Sequence, residues 1–149
     1  MENIRVIELP KMKMVSSAEL EIGDDIFTKF DKWLSRYDEV RVPKLFSYDF
    51  MYYNSASGKF TWLYAVYDDI KECPYDIVDF EGGIYAVATS IDEDEESGND
   101  TYVMINDWVS KSEKFDLDSS RHTLFHVISS DKIYEKMKFR QLDVFVPIK

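Results

Sequence analysis

The stretch Ile4–Val15, IRVIELPKMKMV, decides the fold, because a related stretch, DIVDFEGGIYAV, returns at residues 76–87. Three later segments of the first half also have counterparts in the second half, in the same order. They are KFDKWLS (29–35) with MINDWVS (104–110), KLFSYDF (44–50) with TLFHVI (123–128), and TWLYAVY (61–67) with QLDVFVPIK (141–149). A repeat of this length is one supersecondary unit that cannot bury its apolar faces alone, so the two copies are expected to share a core.

Each copy reads as strand, helix, strand, strand. The sequence therefore predicts an α+β fold of duplicated β-α-β-β units, with an antiparallel sheet, two main helices and a central groove. The first repeat is expected to span about 1–68 and the second about 76–149, both within a single domain of 149 residues. Grooves between related halves are common binding places for small molecules.

The two helices are predicted from apolar residues that recur at helical spacing. The face of the first helix consists of Ile26, Phe27, Phe30, Trp33, Leu34 and Tyr37, with Asp24 or Asp25 as the cap. The second helix is expected from about 101 to 112, and its buried face consists of Tyr102, Ile105, Trp108 and Val109. The acidic run at 92–99 does not match the spacing of an EF-hand, so it is interpreted as a solvated loop.

The strands are predicted from alternating apolar runs and their turn residues. The first is expected from Arg5 to Val15, with Pro10 at a bulge or edge, and the fourth at 77–91, with a kink at Gly82-Gly83. Asn54–Gly58 is a turn that makes a hairpin of its flanking strands. The other predicted elements are strands at about 44–53, 60–67, 122–128 and 141–148, and a helical turn at 131–138 with Ile133, Tyr134 and Met137 inward.

Composition limits the function classes. The formal net charge of −11 argues against duplex DNA or RNA as a direct partner, because phosphate binding needs a basic face. No apolar run is long enough to span a membrane, and the N-terminus lacks the layout of a signal peptide. A single cysteine, Cys73, permits no internal disulfide, so the cytoplasm is the expected compartment. The aromatic content of 15% suits either a core or a ligand pocket.

The ordered motifs resemble the GyrI-like small-molecule-binding domain, the effector-binding module of many bacterial AraC- and MerR-type transcription regulators, and of stand-alone proteins. The segments that carry the resemblance are VIELPKMKMV, FDKWLS, EGGIYAV, NDWVS and LDVFVPIK, which together span the chain. The resemblance implies pseudo-twofold symmetry and a groove that holds the ligand. In multidrug-binding members that ligand is an aromatic cation, held by aromatic side chains and a buried glutamate.

One position departs from that pattern. The resemblance places the glutamate on the fifth strand, where this chain has Leu124-Phe125-His126-Val127, so His126 takes the place of the acid. A buried carboxylate attracts a cation, whereas a neutral imidazole offers a dipole and one lone pair. The ligand is therefore either a cation bound by aromatic faces or a neutral or acidic compound that accepts a hydrogen bond from His126.

The residues expected to line the groove are aromatic side chains on the strands and the second helix, together with His126. They are Phe46, Tyr48, Tyr64, Tyr85, Tyr102, Trp108 and His126. His122 lies four residues before His126, which on a strand separates the side chains by roughly 13 Å, too far for one metal ion. Asp143 is expected to share a face with Phe145 and to point outward into solvent. No metal or cofactor is expected.

Three functions follow as alternatives. The first is a stand-alone sensor or sequestering protein that binds a small aromatic, and in one variant cationic, compound. The second is a hydrolase of reactive small molecules on the same fold, with His126 as general base in place of the glutamate. The third is an interaction module like the gyrase-inhibiting members, with an acidic surface for a protein partner. The sequence does not decide the oligomeric state.

Overall fold

A computed structural model describes residues 3–39, 49–66, 70 and 72–149. Its strands and helices, in chain order, are β1 (Arg5–Leu9), β2 (Met12–Leu20), α1 (Asp25–Glu39), β3 (Asp49–Asn54), β4 (Lys59–Val66), β5 (Asp76–Phe80), β6 (Gly83–Ile91), α2 (Glu95–Ser110), β7 (Leu124–Val127), α3 (Asp131–Met137) and β8 (Gln141–Ile148). The described strand pairs are antiparallel, which confirms the predicted α+β class. None of the described helices is long and apolar enough to cross a membrane.

The chain divides into two compact units. The central unit consists of residues 12–80, and the terminal unit consists of residues 1–11 together with 81–149. Strand order in the central unit is β5-β2-β4-β3, and in the terminal unit it is β1-β6-β8-β7. The two orders are equivalent, since each runs from an edge strand through the opening strand and the closing strand to the middle strand of one β-α-β-β copy.

The edge strand of each unit comes from the other copy of the sequence repeat. β1 lies in the first copy but pairs with β6, and β5 lies in the second copy but pairs with β2. The compact units therefore do not coincide with the repeats at about 1–68 and 76–149. The description of the chain as one domain stays a prediction.

The two long strands expected at 5–15 and 77–91 are each divided in two, so that prediction is wrong. Pro10 has no N–H for a strand ladder, and the break between β1 and β2 falls beside it. Gly82 lies in the second break with φ of +70°, and a Cβ there would clash with the Leu9 carbonyl oxygen. These breaks let the chain pass from one unit to the other.

The two long helices, α1 and α2, each begin after an aspartate N-cap residue. Asp24 Oδ1 accepts a hydrogen bond of 2.7 Å from the Phe27 amide, as predicted for the start of α1. α2 begins earlier than predicted, because Asp94 accepts from the Ser97 amide and the acids that follow suit a helix N-terminus. The interpretation of the whole run 92–99 as a loop is therefore wrong.

Several side chains expected to be inward are exposed. Ile26 on α1 is 46% exposed and Tyr102 on α2 is 43% exposed, while Thr101 occupies the buried position on α2 beside Ile105 and Val109. α3 has no buried residue, so the inward placement of Ile133, Tyr134 and Met137 is also wrong. The helices lie where the apolar spacing predicts them, but near their ends the buried residues differ from the predicted ones. At those positions packing against the sheet, rather than the 3.6-residue period, decides which side chain is buried.

The helix-facing cores of the two units differ in chemistry. In the central unit α1 packs on β2 and β4 through the buried residues Val15, Leu20, Phe30, Leu34, Trp62 and Tyr64. In the terminal unit α2 packs on β6 and β8 through the buried residues Ile4, Ala86, Ala88, Ile105, Val109, Val144, Val146 and Ile148. One core is largely aromatic and the other is aliphatic.

Candidate functional site

The sheet of the terminal unit has a second buried face, on the side away from α2. Directly opposed residues of antiparallel strands share a face, and Thr89 opposes Asp143, which in turn opposes His126. Val87 opposes Phe145 and Tyr85 opposes Pro147 on the same face. The neighbouring residues of β8, Val144 and Val146, point to the other face and contact α2. This face therefore carries a carboxylate, an imidazole and two aromatic rings on three adjacent strands.

Asp143 is buried, with 4% of its surface exposed, so the prediction that it points into solvent is wrong. Its Oδ1 accepts a hydrogen bond of 2.8 Å from Nη2 of Arg5 and one of 2.7 Å from Oγ1 of Thr89. The same Arg5 nitrogen lies 3.4 Å from Thr89 Oγ1. A buried carboxylate needs such partners, because an isolated charge inside a protein is strongly unfavourable.

His126 is 7% exposed and lies directly across the sheet from Asp143. Side chains at directly opposed positions have Cβ atoms about 5 Å apart, so the imidazole and the carboxylate are neighbours. The His126 ring also meets the edge of the Phe145 ring, with centroids 6.3 Å apart. The structure thus places His126 on the face away from α2, beside an acid that was not expected there.

Tyr85 is fully buried on the same face and is fixed by Arg121. The Arg121 guanidinium lies 4.7 Å from the Tyr85 ring centroid and donates to the carbonyl oxygens of Gly82, Ile84 and Ile148. Burial raises the pKa of the Tyr85 hydroxyl, and a hydrogen bond with Arg121 opposes that shift. The Tyr85 and Phe145 rings meet edge to face, with centroids 6.0 Å apart, so Phe145 contacts both Tyr85 and His126.

Arg121 is itself held by an acid. Its Nε lies 2.9 Å from Asp118 Oδ2, with both side chains largely buried. Hydrogen bonds from Ser120 and Arg121 lower the pKa of the Asp118 carboxyl to about 2. The charge pair therefore persists at any ordinary pH and keeps Tyr85 in one position.

Two other predicted site residues of the terminal unit, Trp108 and Tyr102, lie on α2 and not on this face. Trp108 is half-buried on α2 and packs against Phe115, with centroids 6.2 Å apart, while Tyr102 points outward from the same helix. Tyr64 belongs to the helix-facing core of the central unit, where Trp33 and Tyr37 meet it edge to face and its hydroxyl donates to Asp38. Phe46 and Tyr48 lie outside the described residues.

Sequence reasoning missed Arg5, Thr89, Asp143 and Phe145. A signal for two of them was available in the closing strand: LDVFVPI is apolar at both odd and even positions, which indicates a strand buried on both faces. An acid inside such a strand is buried and must have partners, so Asp143 was recognisable. Arg5 was not, because it is 138 residues away and its strand pairs with the other copy of the repeat.

A groove of about 460 Å³ opens beside Thr89, between β6 and α2. It is lined by Asn3, Ala88, Thr89, Asp100, Thr101 and Met104. Its volume is in the range of small-molecule pockets, and Thr89, which donates a hydrogen bond to Asp143, is one of its lining residues. Within the described residues no three His, Cys, Asp or Glu side chains are grouped so as to hold a metal ion.

Solved structures with the same architecture cover nearly the whole chain. SAV2435 bound to tetraphenylphosphonium matches at 14% identity and a TM-score of 0.57, over 100% of this chain and 94% of that chain. The C-terminal domain of EcmrR matches at 13% identity and a TM-score of 0.68, over 98% and 96%. A hydrolase from Listeria innocua matches at 11% identity and a TM-score of 0.70, over 99% and 92%.

The chain has the GyrI-like fold. At these identities the likeness establishes the fold alone, and it agrees with the resemblance found in the motifs. No protein-family model and no curated protein matches the chain in sequence.

Proposed function

We propose that this chain binds a small aromatic compound through the face of the terminal-unit sheet that carries His126, Asp143, Tyr85 and Phe145, and acts as a sensor or sequestering protein. The observation that carries the proposal is the buried Asp143 carboxylate opposite His126. We propose a bacterial cytoplasmic setting for it, which agrees with the single cysteine.

The buried polar group supports a function because the fold does not need it. Replacing buried charge pairs with apolar residues is often neutral or stabilising, so such pairs are weak contributors to stability. On the opposite face of the same strands, the buried residues of the cluster that packs against α2 are aliphatic or small. A ligand site therefore explains the carboxylate, the guanidinium and the imidazole on this sheet better than a contribution to stability does.

The aromatic side chains set the expected ligand shape. Tyr85 and Phe145 lie edge to face, and His126 extends the group at a similar angle. Edge-to-face rings leave π surfaces that a further ring can contact favourably. The similar SAV2435 structure contains tetraphenylphosphonium, an aromatic compound, which supports the same ligand shape here.

The first test is calorimetric titration with three phenyl-substituted compounds of different charge: the cation tetraphenylphosphonium, the neutral triphenylphosphine oxide and the anion tetraphenylborate. We expect at least one to bind with a micromolar dissociation constant. Absence of binding by all three would contradict the proposal and favour the protein-interaction alternative, for which the acidic surface is suited.

Two matched variants locate the site. Phe145→Leu removes an aromatic ring from the sheet face that carries His126. Phe125→Leu removes one from the α2-facing side of the adjacent strand β7. Both should lower stability modestly, by about 1 kcal/mol. Only Phe145→Leu should weaken binding, by about tenfold; equal weakening by both would place the ligand elsewhere.

A hydrolase is the second candidate, favoured by one observation. The Asp143 carboxylate, which accepts hydrogen bonds from Arg5 and Thr89, lies across the sheet from His126, and a carboxylate near an imidazole is compatible with its action as a general base. The test is turnover of a reactive aromatic ester by the wild type and by His126→Ala. If His126→Ala loses turnover but still binds the three titrated compounds with wild-type affinity, His126 acts in catalysis. If the wild type does not turn the ester over, aromatic esters are excluded as substrates.

A further inference from the structure

We propose that Arg5 is an internal cation that occupies the Asp143 carboxylate and thereby sets the ligand class: the site takes neutral or anionic aromatic compounds and rejects aromatic cations until Arg5 is removed. This inference rests on the proposed function and narrows it to a charge class. It concerns a residue on the first strand, far in sequence from every aromatic residue of the site.

The geometry shows how Arg5 reaches the carboxylate. Arg5 lies on the edge strand β1 opposite Val87 of β6, and its guanidinium extends over β6 to Asp143 on β8. Both hydrogen bonds to Asp143, from Arg5 and from Thr89, end on Oδ1. The guanidinium therefore takes the position beside the carboxylate that the cationic centre of a ligand would need.

Charge balance then decides which ligands fit. The positive Arg5 and the negative Asp143 cancel, so the group offers no net negative charge to an incoming cation. A cation placed against Asp143 would also lie beside Arg5, and like charges at such a distance repel each other. A ligand that approaches from solvent meets the exposed Arg5 guanidinium before the buried Asp143 carboxylate, so a neutral or anionic aromatic compound can contact Arg5 favourably, and one with an acceptor atom can take hydrogen bonds from the Arg5 nitrogens that do not bind Asp143.

Arg5 and Asp143 differ in how much of the side chain is exposed, and the more exposed of the two is the one to replace by mutation. The Arg5 side chain is 48% exposed, whereas the Asp143 side chain is 6% exposed. Without Arg5 the carboxylate stays buried and loses its cationic partner, and a ligand cation can then supply the missing charge. Removal of Arg5 should therefore change the preferred ligand charge without changing the aromatic part of the site.

The experiment compares tetraphenylphosphonium with tetraphenylborate, which have nearly the same shape and opposite charge. Calorimetric titrations at pH 8 in sodium buffer, which avoids the insoluble potassium salt of tetraphenylborate, use the wild type and Arg5→Gln. In the wild type we expect tetraphenylborate to bind more tightly. In Arg5→Gln we expect the tetraphenylphosphonium affinity to rise at least tenfold and the tetraphenylborate affinity to fall.

Three control variants separate the local effect of Arg5 from general effects of charge. Arg36→Gln, on the exposed surface of α1, makes the same change in net charge and should behave as the wild type. Arg5→Lys keeps the positive charge and should keep the rejection of cations. The double variant Arg5→Gln with Asp143→Asn should lose the gained affinity for tetraphenylphosphonium, because the carboxylate is gone.

The outcomes are distinct. A folded Arg5→Gln protein whose tetraphenylphosphonium affinity equals that of the wild type overturns the inference while leaving the proposed function intact. If Arg5→Gln does not fold, Asp143→Asn tests the same claim, since it leaves Arg5 unbalanced and should raise tetraphenylborate affinity at least tenfold; no change would overturn it. Failure of both compounds to bind any variant overturns this inference together with the proposed function.

Discussion

The central and terminal units have equivalent strand orders but use their side chains differently. In the central unit the aromatic residues pack α1 onto the sheet: Phe27 stacks on Trp62 at 5.0 Å, and Trp33 stacks on Tyr37 at 5.6 Å. In the terminal unit α2 rests on aliphatic residues, and the polar groups collect on the other face of the sheet. The comparison teaches that aromatic richness marks the core of one unit, whereas buried charge marks the candidate site of the other.

The largest expected effect comes from the aromatic core of the central unit. Phe30 is fully buried and its ring meets the rings of Trp33, Trp62 and Tyr75. We expect Phe30→Ala to lower the free energy of unfolding by about 3–5 kcal/mol, measured by urea denaturation. Ligand affinity of the folded fraction should be unchanged.

The matched control in the terminal unit is Ile105→Ala, because Ile105 is fully buried between α2 and its sheet. We expect Ile105→Ala to lower the free energy of unfolding by about 2–5 kcal/mol, again without loss of ligand affinity. If Phe30→Ala abolished binding in protein that is still folded, the assignment of the aromatic residues to packing would be wrong.

A smaller effect is expected at Arg121, which binds three carbonyl oxygens of the terminal unit. Removing it leaves the three carbonyl oxygens without this donor and the Asp118 carboxylate without its cationic partner. Arg121→Gln should lower the free energy of unfolding by about 2 kcal/mol and weaken binding by freeing Tyr85. Arg140→Gln, which removes a more exposed pair with Asp131, should have at most a slight effect on either property.

The smallest expected effect is the titration of Tyr85. Burial raises its pKa in the folded protein, so the folded state binds its proton more tightly than the unfolded chain does. Stability is therefore full below the ordinary tyrosine pKa of 10 and declines as the pH rises through the higher folded value. Thermal unfolding at pH 9 and pH 11 should show a smaller loss for Tyr85→Phe than for the wild type; equal losses would mean that another group is responsible.

Much of the fold was predictable from the sequence because it depends on local pattern. The hairpin through Asn54–Gly58 and the closing strand Gln141–Ile148 are where the alternation and turn residues indicated. The exchange of β1 and β5 was not predictable, since a break at Pro10 or Gly82 does not say which strand the next segment pairs with. That exchange brings Arg5 to Asp143, so the site could be predicted only in part.

Side-chain direction was the other limit. His126 was identified from the resemblance and is buried, and its role as a ligand contact stays a prediction, whereas the acid beside it was expected in solvent. Tyr64 and Tyr102 were chosen by residue type, and residue type does not distinguish a core ring, a surface ring and a ligand contact. The register of the sheet makes that distinction, because a one-residue step moves a side chain to the opposite face.

The most direct test of the central claim is a crystal structure of the chain with the panel compound that binds most tightly. The account predicts that compound within van der Waals distance of Phe145 and Tyr85, with its polar or charged group beside Arg5, Asp143 or His126. A compound found instead against Trp33 and Tyr37 of the central unit, with the Phe145 face unchanged, would contradict it.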